Sequence, residues 1–167
     1  MEFSTRDLAK DAREILYKAV GKLIVNWAHV DRALDFWITV IYHDVGGKNV
    51  DDKLPYGFDR KKKFLRRCFK QIEPLSHFSE DAIAYIEAAQ HYSNTRHFII
   101  HGTLSGYDAT DRAFTFLNLK PNETKTIHKL SQLRITAAEL LDDADQCSFL
   151  AGEMHDLAYK LIAEFDR

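Results

Sequence analysis

Apolar residues recur along the first quarter of the chain at steps of three or four. They fall at Leu8, Ala12, Ile15, Ala19, Leu23, Trp27, Val30, Leu34, Trp37, Ile41 and Val45. That is the period of a helix with one buried stripe. Ser4 or Thr5 can cap its start and Gly46-Gly47 can end it. A straight helix of about 38 residues would measure roughly 57 Å, longer than a small domain is wide. It must either bend near Gly21 or overhang and pack against a second copy, and the reading taken is a dimer. Trp27 and Trp37 lie on the stripe and read as core or dimer contacts.

Turn residues Asp51, Asp52, Pro55 and Gly57 mark a loop over 48–57. A second helix is predicted from about Asp59 to Ile72, with Phe64, Leu65, Cys68, Phe69 and Ile72 on one face and Pro74 as its stop. A third runs from Ser79, read as its N-cap, through Ile83, Ile86, Ala89, Tyr92, Ile99 and Ile100 to Gly102. The period then changes from helix to strand. Leu104–Tyr107, Ala113–Leu119 and Lys125–Leu130 read as three short strands, with turns at Asp108–Arg112 and Lys120–Glu123. Thr136-x-x-Glu139 then forms a capping box that opens a last helix reaching the C-terminal end. The predicted class is mainly α: a helical bundle with a very long N-terminal helix and a small antiparallel meander, about 103–130, before the last helix. With no linker or repeat, residues 1–167 read as one domain.

Composition excludes more than it selects. At 167 residues a core can form without disulfides or metals. Net charge is −2, so any nucleic-acid partner has to be read from local charge. The longest strongly apolar run, Trp37 to Tyr42, is far short of the roughly 20 residues that a membrane span needs. The N-terminus is charged at once and has no apolar signal core. Cys68 and Cys147 lie far apart on helix faces, which suits a reducing compartment. The cytoplasm is the expected location, with no membrane partner.

The pointed segment is Asn94-Thr95-Arg96-His97-Phe98-Ile99-Ile100-His101-Gly102. On a helix, Asn94, His97 and His101 fall within about 60° of one another, whereas Arg96 points about 140° away from His101. An arginine among Tyr85, Tyr92 and Ile99 needs an acidic partner or an anion, and Asp31 on the first helix is the carboxylate suggested for it. The plainer reading is a histidine favoured by the negative end of a helix and an arginine in a structural ion pair. His97 and His101 have the spacing of a zinc pair. No Glu or Cys completes the set, so no metal is expected.

Arg96-His97-x-x-x-His101-Gly102 resembles the Arg-(polar)-x-x-x-His signature of the HEPN superfamily (higher eukaryotes and prokaryotes nucleotide-binding domain). That signature likewise lies near the end of one helix of an all-helical core. In layout the resemblance spans most of the chain; in identity it covers these few residues. It implies a metal-independent endoribonuclease without cofactor, working as a homodimer on single-stranded RNA. In that reading Arg96 steadies the phosphate, His101 transfers the proton, His97 supports it and Asn94 contacts substrate. It further implies a toxin or antiviral defence effector with an antitoxin protein as neutralising partner. Seven cations in the eleven residues Arg60–Lys70 would cover the open face of the second helix. Lys62, Lys63, Arg66 and Arg67 are then the candidate phosphate track. The rival reading is a non-catalytic dimeric module of the same fold that binds RNA, a nucleotide or a protein.

Overall fold

The computed structural model describes residues 8–121 and 128–165. The chain is mainly α, with three antiparallel strands set before the last helix, as the periodicity predicts. Helix α1 covers Lys10–His43, α2 Phe58–Gln71, α3 Ser79–His101 and α4 Ala137–Phe165; strands β1, β2 and β3 cover Thr103–Asp108, Ala113–Pro121 and His128–Thr136. The caps suggested at Ser4 or Thr5 lie outside the described residues. The 34 residues of α1 make it roughly 51 Å long at 1.5 Å per residue. Contacts divide the chain into two compact units. One comprises Met1–Val25 with Tyr92–Gln146, the other Asn26–His91 with Cys147–Arg167.

The second unit is a bundle of four helical segments. Its core holds Trp37, Leu34, Ile41, Leu65, Ile86, Met154 and Leu161, each essentially without solvent exposure. Trp37 stands at the centre. Its indole N–H donates to the Met154 carbonyl at 2.9 Å and its ring meets Phe69 edge-on. Cys68 and Cys147 are buried free thiols, and burial pushes the Cys68 thiol up to about 12, which makes it a poor nucleophile.

A short 3-10 helix, Glu73–Phe78, leads straight into α3. Ser79 is therefore not the expected N-cap. It is already in right-handed helical conformation, and its N–H bonds to the Ser76 carbonyl. The tighter turn before it supplies the acceptor that a cap would have supplied.

In the first unit the sheet runs β1-β2-β3. Phe114 and Phe116 are buried on one face, and Asn118, also buried, shares it, as the alternation predicts. Of the expected third strand at Lys125–Leu130, residues 128–130 lie in a strand that runs six residues further; residues 125–127, like 122–123 of the expected turn, lie outside the described residues. The observed β3 is His128–Thr136, in register with β2 from Pro121↔His128 to Ala113↔Thr136. Ladder bonding along the whole of β2 outweighs the mixed polarity of Ser131 to Arg134. The β1–β2 turn is tied by the Thr110 N–H on the Asp108 carboxylate at 2.9 Å, and the Arg134 fork reaches Asp108 and Asp111.

The capping box forms as read. Glu139 accepts from the Thr136 backbone N–H and hydroxyl, and its own N–H donates to the Thr136 hydroxyl oxygen. The bonds from Thr136 hold the Glu139 carboxyl below the usual range. A depressed carboxylate stabilises the fold above its unfolded pKa and loses that contribution as pH falls through the folded one. Thr136→Ala removes the hydroxyl of the cap and should lower thermal stability near neutral pH. The difference from wild type should shrink in melts taken at acidic pH.

Candidate functional site

The C-terminal end of α3 is positioned by two contacts within its unit. Thr95 is buried and its hydroxyl donates to Asp143 on α4 at 3.1 Å, which fixes the rotation of the helix. Gly102 follows as the helix closes, its N–H bonding to the Phe98 carbonyl at 2.8 Å. A Cβ at Gly102 would press on the Phe98 carbonyl oxygen and lie 3.0 Å from that of Leu117 on β2. Both obstacles are backbone, so neither can swing away. Glycine is required here for close approach of helix and strand. Gly102→Ala should cost about 1–3 kcal/mol in denaturant melts and displace His101.

Arg96 is half-buried on α3. Its Nε is buried with no hydrogen-bond partner, and no ion pair engages the guanidinium among the described residues. A permanently charged fork with an unsatisfied donor is costly unless an anion or acid reaches it. His97 is half-buried and His101 exposed, with their rings 4.8 Å apart between centroids. Asn94 and Ile100 are exposed alongside, Ile100 with 40% of its surface open. Among the described residues no group of three His, Cys, Asp or Glu side chains could hold a metal.

Asp31, the carboxylate suggested for Arg96, has a cation of its own within its unit. It accepts from Lys61 on α2 at 2.9 Å, and Asp35 stands 2.7 Å from the same ammonium. Lys61 is itself buried, which overturns its placement on an open basic face. Its phase explains why: Lys61 is three and four residues before Phe64 and Leu65, on the apolar side of α2. Desolvation by burial opposes its charge, but the two carboxylates outweigh that and raise its pKa.

Half of the remaining basic run is ion-paired. Lys62 pairs with Asp59 at 3.6 Å, bonds Gln90 and lies over the Phe58 ring; Arg66 meets Glu87 at 3.0 Å and Arg67 meets Asp51 at 3.4 Å. Lys63, Arg60 and Lys70 are exposed, with no ion pair among the described residues. An uninterrupted phosphate track along α2 is therefore not what the structure presents. Instead a cleft of about 610 Å³ opens between the loop after α1 and α2. Of the cations that line it, Lys53 lies outside the basic run that the sequence singles out. The sequence signal was there in Lys53-Leu54-Pro55, a cation beside apolar turn residues.

Comparison with known protein families, with curated proteins and with solved structures finds no match to this chain. Among the described residues no helix is long and apolar enough to cross a membrane.

Proposed function

We propose that this protein is a metal-independent endoribonuclease acting as a homodimer, its site built from Arg96 of one protomer and His101 of the other. The observation that carries the reading is the half-buried Arg96, whose Nε lacks a partner, five residues before an exposed histidine. About 140° of helix rotation separates the two side chains, so a single α3 does not aim both at one phosphate. Two α3 ends related by a two-fold axis can. The exposed Ile100 beside them offers an apolar rim for that contact.

The chemistry follows from the groups. The 2′-oxygen of a ribose attacks the adjacent phosphorus as an imidazole takes its proton. The bond from phosphorus to the 5′-oxygen breaks as that oxygen takes a proton from a second imidazole. His101 and His97, whose tilted rings lie 4.8 Å apart between centroids, supply acceptor and donor between them. The Arg96 fork holds the non-bridging oxygens as charge builds on them, and Asn94 hydrogen-bonds the strand. The products are a 2′,3′-cyclic phosphate and a 5′-hydroxyl. Incubating the protein with labelled single-stranded RNA in EDTA should give those ends. Binding without cutting would favour the non-catalytic module. The resemblance extends the proposal to a cytoplasmic toxin or defence effector held in check by an antitoxin. Expression of the wild-type chain should then arrest bacterial growth, and Arg96→Ala should relieve the arrest.

A further inference from the structure

The cleft between the loop after α1 and α2 lies outside that site and has its own chemistry. Five cations line it, Lys53, Arg60, Lys63, Arg66 and Arg67, against one lining carboxylate, Asp51. Counting Glu87, which pairs with Arg66, five positive charges face two negative ones, an excess of three. Lys53, Arg60 and Lys63 have no ion pair among the described residues. Like charges gathered at one concavity repel each other, and a polyanion relieves that repulsion. Three of the five are arginines, whose forks match phosphate oxygens. The remaining wall is apolar: Leu54, Pro55 and Phe64, with Leu54 half-exposed. The cleft is also held open in advance. Arg67 donates to the Val50 carbonyl, and the Tyr42 hydroxyl donates to the Asp52 carbonyl at 2.8 Å, so the middle of the loop, just before Lys53, is fastened.

We infer that this cleft binds a nucleoside 5′-polyphosphate, with the phosphates among Arg60, Lys63, Arg66 and Lys53 and the nucleoside against Leu54 and Pro55. The volume of about 610 Å³ suits a ligand of that size. The same chemistry comes from two sources, a free nucleoside triphosphate or the triphosphate end of an RNA strand. Titration calorimetry on the full chain at physiological salt tests it with four probes: inorganic tripolyphosphate, ATP, and one short RNA carrying either a 5′-triphosphate or a 5′-hydroxyl. ATP binding more tightly than tripolyphosphate identifies the free nucleotide. Triphosphate RNA binding more tightly than both ATP and its 5′-hydroxyl counterpart identifies the strand end. In either case Arg60→Gln combined with Lys63→Gln should weaken binding at least about tenfold. Neither side chain holds an ion pair, so the fold should persist, and Lys53→Gln provides an independent second variant. Failure of every triphosphate to bind at millimolar concentration, or wild-type affinity in the double variant, overturns the inference. The measurement reads binding alone, so it reports on the cleft whether or not the chain cuts RNA.

Discussion

His101→Ala should reduce cleavage of single-stranded RNA in EDTA by about 10²–10⁴-fold, the usual contribution of a positioned proton-transfer group. Arg96→Ala should cost about 10²–10³-fold, as expected for a donor aimed at developing oxyanion charge. His101 is exposed on the last turn of α3, so its removal opens no cavity and circular dichroism should be unchanged. Arg96 differs, because its stem is half-buried. Arg96→Lys keeps the charge and most of the stem but loses the fork, and it should fail nearly as badly as alanine. Full recovery in the lysine variant would reduce Arg96 to a point charge and remove the bidentate phosphate contact from the proposal.

The second large effect concerns stability. Lys61 is buried in the α1–α2 contact, held by Asp31 and Asp35, one helical turn apart. Removing both acids, Asp31→Ala with Asp35→Ala, strands a charge with little access to water. Each carboxylate keeps substantial exposure, 41% and 58%, so the pairs are partly screened. The expected loss is about 2–3 kcal/mol, below the value for a fully buried pair. Adding Lys61→Met should recover most of it, because the site then needs no counter-charge. The pH dependence has a definite sign. Lys61 is raised in the folded state, so its contribution is fully present below the ordinary lysine pKa of about 10.4 and lost as pH rises through the folded value. Urea melts of the wild type should weaken over that alkaline window. Melts of the Lys61→Met chain should lack this component.

The same residue shows where the sequence was legible and where it was not. The long first helix could be read because burial repeats every three or four residues from Ala12 to Ile41, although Leu16 takes the buried place expected of Ile15. The start of α4 was legible because Thr136 and Glu139 satisfy each other locally, without help from distant parts of the chain. Lys61 was misread because hydropathy assigns every lysine in a basic run to solvent. Its phase on the apolar side of α2, and two acids four apart on α1, carried the contrary signal. The end of β3 was missed although Gln132 and Arg134 alternate with Leu133 and Ile135, the pattern of a half-buried strand; pairing with β2 carries it to Thr136. The need for glycine at position 102 was visible only as a motif position. The reason, a strand carbonyl beside the helix end, is a tertiary contact.

The proposed site depends on Arg96 and His101 acting across two chains. Co-expressing Arg96→Ala and His101→Ala chains with different tags, and isolating dimers that carry both, tests this directly. Unsorted mixtures should recover about a quarter of wild-type cleavage, since half the dimers are mixed and each holds one complete site. Purified mixed dimers should recover about half. Mixed dimers no more active than either parent, or a chain that runs as a 19.3 kDa monomer while cutting RNA, would contradict the shared site.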